Sequence, residues 1–180
     1  MLKKMRGFTL IEMLIVVAIV GLLAALLIPN ALAAIQKAKQ KGTMKDINSI
    51  ATALTDFVTD KGTAPVKTYG ALAAGDVLYT SLSGFYLKVL PLNDQWGTTF
   101  YVAGGTAADG NYGATGSGVD SFLVASYGRN KTQDTVTFNP AQPSSAYFDI
   151  TGMTSFDQDL VNWEGSWIHV PKGAQLGSGS

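Results

Sequence analysis

The amino-acid sequence predicts an α+β fold in which one long N-terminal helix packs, through its second half, on a small antiparallel sheet. Three observations predict this fold. Residues 8–28 form an almost uninterrupted apolar run, residues 47–58 repeat apolar side chains at helical spacing, and the Gly- and Thr-rich remainder contains short strand-like runs. We divide the chain into a basic leader (1–7), the long helix (8–61) and a globular head (62–180) whose tail we expect to be disordered from about residue 173.

The apolar run at residues 8–28 has the length of a membrane-spanning helix. It reads FTLIEMLIVVAIVGLLAALLI and, as a helix, extends about 30 Å, the thickness of a bilayer core. Lys3, Lys4 and Arg6 precede it, which predicts a cytoplasmic N-terminus. A secretory signal peptide has a shorter apolar region and a cleavage site after that region. Here Gly7 precedes the run and the helical pattern continues past Pro29, which favours a single-pass membrane segment.

The second part of the predicted helix, residues 29–61, is amphipathic. Its apolar stripe recurs at steps of three and four residues and comprises Ile47, Ile50, Ala51, Leu54, Phe57 and Val58. Lys61 followed by Gly62 is a typical helix end, with a cation in the last turn and a glycine after it. Pro29 and Gly42 are the positions where we expect the helix to kink or unwind locally.

Four runs in the head have the composition of short strands separated by turn residues. They are residues 101–105, 121–128, 134–138 and 146–150. Because several of these runs are near neighbours in sequence, we expect the sheet to be antiparallel, with the stripe of the long helix covering one face.

The composition excludes several function classes. The formal net charge is zero, so the charge balance does not point to nucleic acid or to a strongly acidic partner. The chain contains no cysteine, which excludes disulfides, thiolate zinc sites and cysteine nucleophiles. None of the HExxH, GxSxG, P-loop or GxGxxG patterns occurs. The one histidine, His169, is expected to be structural or exposed. The three tryptophans, at 96, 163 and 167, are expected to serve in packing. We therefore predict a structural protein that is not an enzyme.

Glu12 is the one charged residue inside the apolar run. Two interpretations remain open. In the first, Glu12 is an interfacial acid of an ordinary signal anchor, near the cytoplasmic edge of the membrane. In the second, cleavage after Gly7 creates an α-amino group on Phe8. In an array of packed helices, Glu12 of one subunit then pairs with that amine of its neighbour, which cancels two charges in an apolar setting and fixes the axial register.

The stretch RGFTLIEMLIVVAIVGLLAALLIPN resembles the N-terminus of type IV pilins and of the pseudopilins of type II secretion systems. In that family a prepilin peptidase cuts after the glycine, here Gly7, and methylates the new first residue, here Phe8. The resemblance implies that Glu12 supports assembly and that Pro29 marks a kinked or melted region. It also implies a type IV pilin-like fold, with residues 8–28 in the membrane or the filament core.

A second resemblance, to the major pseudopilin of type II secretion systems, lies in the head. The run PLNDQWGTTFY is similar to a Pro-Leu-Asp-Pro-Trp-Gly-x-Pro-Tyr motif, with Asn93 extra and with Gln95 and Thr99 in place of prolines. Residues 121–130 resemble the strand and Ser-x-Gly turn that follow this motif. Residues 157–163 resemble the closing Ala-Asp-Ile-x-Asn-Trp of the family.

The resemblance also implies a possible calcium ion, because that family commonly binds calcium in the loop between these last two motifs. The candidate oxygen ligands are Asn130, Asp134, Asp157 and Asp159. The family's Gly-Ala-Asp-Gly turn here contains two cations, Arg129 and Lys131, which disfavour a site at the turn itself. The alternative is that these Asn and Asp residues form turns on a solvated surface.

The function implied by the resemblance is that of a structural subunit of a filament, most simply the pseudopilus of a type II secretion system. Its partners would be further copies of itself in a helical homopolymer, the prepilin peptidase, an inner-membrane assembly platform and minor pilins or pseudopilins. The subunit would reside in the bacterial inner membrane before assembly and in a periplasmic or extracellular filament afterwards. The alternatives are a surface type IV pilus subunit, or a minor pilin that acts as an adhesin or DNA-capturing module through Tyr112, Tyr127 and Tyr147.

Overall fold

A computed structural model describes residues 7–174 of the chain. Most of the predicted leader, residues 1–6, and most of the predicted tail, residues 175–180, lie outside the described residues. The chain forms two compact units, whose boundary falls between Gln36 and Lys37.

The N-terminal helix, α1, spans Leu10–Lys61. None of its residues before Lys37 is buried. From Lys37 onwards, by contrast, the helix buries one face, which is made of Gln40, Thr43, Ile47, Ile50, Ala51, Ala53 and Leu54. The helix ends as predicted at Gly62, whose φ of 74° is left-handed and whose N–H bonds to the carbonyl of Val58 at 2.7 Å.

Five antiparallel strands form one sheet in the order β1-β2-β3-β4-β5. Their bounds are Lys67–Ala71, Tyr101–Gly104, Phe122–Ser126, Leu160–Trp163 and Ser166–His169. A short helix, α2, spans Val77–Leu82 between β1 and β2 and buries Leu78 and Leu82. The long helix and the small antiparallel sheet confirm the predicted α+β class.

Both faces of the sheet are covered. On one face, Val102, Val124 and Leu160 belong to the same buried cluster as Ile47, Ile50 and Leu54 of α1. On the other face, the alternate residues of the strands pack with the loop residues that cross the sheet, in a cluster made of Ala103, Ala108, Tyr112, Ala114, Leu123, Ala125, Tyr127, Val161 and Ile168. Every residue of the central strand β3 is consequently buried.

Two of the four predicted strands are wrong. Residues 134–138 form a loop and are not a strand of the sheet. Val136 and Phe138 nevertheless pack on the second cluster, which explains their apolar character. Among residues 146–150, Ala146 ends a short 3-10 helix and Phe148 forms an isolated bridge to Pro171, which has no N–H to extend a ladder. Strands β1, β4 and β5 were not predicted.

Candidate functional site

The start of α1 holds Glu12 in a capping box. The Oε2 atom of Glu12 accepts hydrogen bonds from the Thr9 N–H and from the Thr9 hydroxyl, each at 2.8 Å. The Thr9 Oγ1 in turn accepts a bond from the Glu12 N–H at 3.3 Å. The spacing Thr-x-x-Glu is the sequence signal of this motif, and our sequence analysis missed it. The cap fixes the carboxylate at the N-terminus of the helix, where the helix dipole favours a negative charge.

The remainder of this segment offers an apolar surface. Phe8 is 77% exposed, and the large apolar side chains through Ile28 are exposed as well. Among residues 7–174, α1 is the one helix that is long and apolar enough to cross a membrane. Its most apolar stretch of 18 residues has a mean hydropathy of 2.9, and none of that stretch is buried. An apolar surface of this size calls for lipid or other helices around it.

Pro29 lies inside α1, and the helix continues across it. Because proline has no N–H, the carbonyl of Ala25 loses its usual partner four residues on. The resemblance implies a kinked or melted region at Pro29. In the structure α1 is not broken there, but one of its backbone hydrogen bonds is missing.

Within the head, Asp94 organises the turn that contains the second resemblance. Its side chain is only 5% exposed. Its Oδ1 accepts bonds from the N–H groups of Trp96 at 2.9 Å and Thr98 at 2.8 Å, and its Oδ2 accepts a bond from the Ser126 hydroxyl at 2.7 Å. Gly97, with φ of 79°, provides the left-handed position that the turn requires. Asp94 thereby ties this turn to the central strand β3.

The same turn is docked on α1. The Gln95 N–H donates to the Thr43 hydroxyl at 3.1 Å, and the Gln95 side-chain amide donates to Asp46 at 2.8 Å. A proline, which the related motif has here, could not make the first bond. A Cβ atom at Gly42 would lie 2.8 Å from Cγ of Gln95. Gly42 therefore permits close packing of the turn, and α1 is helical across it, which corrects the expectation of a kink.

The four candidate calcium ligands fall at the turn after β3 and just before β4. Asp157 is bound by Arg129 through two bonds, Nε to Oδ1 at 2.8 Å and a terminal nitrogen to Oδ2 at 3.0 Å. The Oδ1 of Asn130 accepts the Thr132 N–H at 2.9 Å within a local turn. Asp134 and Asp159 exchange bonds: the N–H of each donates to the carboxylate of the other, at 2.9 and 3.0 Å.

Asp159 is the most deeply placed of the four, and its side chain is fully buried. Its Oδ2 accepts a second bond, of 2.6 Å, from the Tyr112 hydroxyl. That hydroxyl also lies 3.3 Å from the hydroxyl of Tyr69, which is 3.1 Å from that of Tyr127. Burial raises the pKa of Asp159 to about 6, although the Tyr112 hydrogen bond opposes that change. Its Oδ1 has no partner among the described residues.

These carboxylates do not fit a calcium cage. Calcium takes six to eight oxygen ligands. Within residues 7–174, no three or more Asp, Glu, His or Cys side chains are grouped so that they could hold a metal ion. Both oxygens of Asp157 face a guanidinium, which leaves Asp159 Oδ1 as the one buried carboxylate oxygen here without a partner.

The aromatic residues and His169 have mainly structural surroundings. Trp96, Trp163 and Trp167 are partly buried against the two core clusters, as expected. Tyr112 and Tyr127 are 5% and 7% exposed, so they do not form the exposed binding surface considered for a minor pilin. The Nδ1 of His169 lies against the carbonyl oxygen of Ala146, and burial lowers its pKa.

Two family models match the chain. That of the prokaryotic N-terminal methylation motif matches residues 2–28, and that of type II secretion system (T2SS), protein G, matches residues 30–137. The first contains Gly7, Phe8 and Glu12, and the second contains the turn at Asp94 and the first part of the loop after β3, including Arg129.

Several curated proteins are similar to the chain over most of their length. The type II secretion system core protein G of Vibrio cholerae serotype O1 is 33% identical over 141 residues, covering 66% of this chain and 93% of the relative. That of Escherichia coli K12 is 31% identical over 140 residues, or 74% and 90% of the two chains. That of Dickeya chrysanthemi is 28% identical over 167 residues, or 89% and 88%. No solved structure matches the chain.

Proposed function

As the chain belongs to the family of type II secretion system protein G, we propose that it is a structural subunit of a pseudopilus, the filament of a type II secretion system. The observation that carries this proposal is the exposed apolar half of α1, which begins with the capped Glu12. Such a surface suits a helix that lies first in a membrane and then among identical helices. These residues support a structural role and not a catalytic one.

Processing is the first step of the proposed function. We propose that the prepilin peptidase cleaves after Gly7 and that the new α-amino group of Phe8 is methylated. The methylation-motif match across residues 2–28 supports this step. Phe8 is exposed, and apart from the chain neighbours of Gly7 no described residue has a heavy atom within 4 Å of a Cβ built on Gly7, which supports access of a peptidase to the bond between them.

Glu12 then has two tasks, one for each carboxylate oxygen. Its Oε2 keeps the Thr9 cap, and its Oε1 is left to accept a bond from the Phe8 amine of a neighbouring subunit. In a filament core both charges would be desolvated, and each would be costly without the other. The pairing therefore selects one stagger among the many that apolar side chains alone would accept.

Pro29 has a different proposed role. The missing hydrogen bond to Ala25 makes this turn of α1 the easiest to unwind. We propose that α1 adjusts here when the subunit moves from a flat bilayer into the helical array, while the ends of α1 keep their structure.

The proposed partners follow from these two environments. Before assembly, the apolar half of α1 spans the inner membrane with its N-terminus in the cytoplasm and the head in the periplasm. An inner-membrane assembly platform then adds the subunit to other copies of itself and to minor pseudopilins.

Mass spectrometry of the mature protein tests the processing step. We expect a chain that begins at Phe8 and carries one additional methyl group on its amine. A mature protein that begins at Met1, or after a site beyond residue 28, would contradict the proposal.

Replacing Glu12 tests the assembly step. We expect Glu12→Ala to insert into the membrane and to be cleaved normally but to yield few or no filaments after cells are sheared. Glu12→Gln should be nearly as damaging, because the amide keeps the size of the side chain and loses the charge. Normal filament yield from Glu12→Ala would mean that Glu12 is only an interfacial acid.

A further inference from the structure

The loop that joins β3 to β4 is closed at its base by an ion pair inside the protein. Arg129 follows β3, Asp157 precedes β4, and their two hydrogen bonds of 2.8 and 3.0 Å form a bidentate contact. The side chains are 32% and 23% exposed, so the pair is partly shielded from solvent. Bidentate arginine–carboxylate contacts are stronger and better oriented than single ones.

The backbone around this ion pair is also closed. The Arg129 N–H donates to the carbonyl of Phe156 at 2.8 Å. Gly128 has φ of 62°, and a Cβ atom there would lie 2.7 Å from the carbonyl oxygen of Gln158 and 2.9 Å from that of Phe156. The turn itself thus packs against the carbonyl groups that precede β4, and carbonyl oxygens are among the ligands that calcium takes in proteins.

A second contact closes the loop deeper in the head. Asp159, immediately before β4, accepts bonds from the Tyr112 hydroxyl and from the Asp134 N–H, and its own N–H donates a bond to the Asp134 carboxylate. These bonds join the segment before β4, the loop residue Asp134 and the turn at Tyr112. All three bonds come from donors of the protein itself.

We propose that this subunit folds without calcium, and that the Arg129 guanidinium and the Tyr112 hydroxyl together replace the ion as the staple of the loop between β3 and β4. Asp159 Oδ1 is the one buried side-chain oxygen of the four candidate ligands that has no partner, whereas calcium takes six to eight oxygen ligands. The guanidinium beside Asp157 also repels a divalent cation. The inference concerns the folded subunit and is independent of whether that subunit forms a filament.

The first test compares the unfolding of the full chain in non-ionic detergent with and without calcium. Circular dichroism would follow the melting temperature in 1 mM EGTA and in 1 mM calcium chloride. We expect the two values to agree within about 1 °C, because a ligand that does not bind the native state does not shift its unfolding. A melting temperature at least about 5 °C higher in calcium would overturn the proposal. Saturable calcium binding at submillimolar concentration in a titration calorimeter would do the same.

The second test addresses the arginine directly. Arg129→Gln removes the cation but keeps a polar side chain of similar length. In EGTA we expect its melting temperature to fall by about 5 °C, since the partly buried Asp157 loses its partner. Lys131→Gln is the matched control: it removes the same charge from the same turn at an exposed position and should change the melting temperature by less than about 1 °C. Equal effects of the two substitutions would show that Arg129 is not the staple.

Discussion

The buried turn at Asp94 leads to a quantitative prediction about the stability of the head. Its carboxylate accepts three hydrogen bonds, two from backbone N–H groups of its own turn and one from the Ser126 hydroxyl on β3. Asp94→Ala removes both acceptor oxygens, and with them all three bonds, at once. Ser126 is fully buried, so its hydroxyl gains no water in exchange.

The magnitude follows from these contacts. A hydrogen bond to a charged group contributes about 1.5–3 kcal/mol, and a buried donor that is left without a partner costs about 1–3 kcal/mol. Since the three bonds share one side chain, their effects are not additive, and we expect Asp94→Ala to lower the free energy of unfolding by about 4 kcal/mol. Asp94→Asn should cost only about 1–2 kcal/mol. Its amide oxygen keeps both backbone bonds, and its NH₂ group can donate to the Ser126 oxygen.

Urea unfolding of the full chain in detergent, followed by tryptophan fluorescence, measures these differences. Trp96 lies in the turn itself and is a direct reporter of its loss. Asp120→Ala serves as the control, because it removes the same group from an exposed position. A loss below about 1 kcal/mol for Asp94→Ala, or equal losses for Asp94→Ala and Asp120→Ala, would refute the reasoning.

Two further predictions concern the packing of β2 and the buried histidine. Gly104→Ala places a Cβ atom in a direct clash with the carbonyl oxygen of Pro65, so it should lower the melting temperature by more than about 10 °C. Gly75→Ala, where no described residue other than the two chain neighbours has a heavy atom within 4 Å of the new Cβ, should change it little, and equal effects would contradict the predicted clash. Burial lowers the pKa of His169, so the unfolded chain binds its proton first, and stability is lost as the pH falls through about 6.5. His169→Asn should lose less stability than the wild type between pH 7 and pH 5 in urea titrations, and equal losses would contradict this.

The sequence predicted the features that depend on local pattern. The stripe from Ile47 to Val58 identified the face of α1 that is buried, and the position of Glu12 within the apolar run marked the candidate assembly segment. The capping partner Thr9 was equally readable, since Thr-x-x-Glu before an apolar run is a known helix start, but it was not recognised.

What could not be predicted depends on residues far apart in the sequence. Arg129 and Asp157 are separated by the whole loop between β3 and β4, and no periodicity signals their contact. Likewise, the strand-like run at 134–138 is apolar in alternation because Val136 and Phe138 pack on the sheet. Whether such a run becomes a strand depends on its pairing with a partner that is distant in sequence, and the run itself does not show that partner.

The central claim is that Glu12 joins neighbouring subunits, and a cryo-electron microscopy reconstruction of filaments sheared from cells that make the chain tests it most directly. The account predicts that the apolar halves of α1 fill the filament centre. It also predicts that one carboxylate oxygen of Glu12 lies about 3 Å from the Phe8 amine of an adjacent subunit, while Thr9 still binds the other. Filaments in which the Glu12 carboxylate faces solvent and no neighbouring amine approaches it would contradict the account.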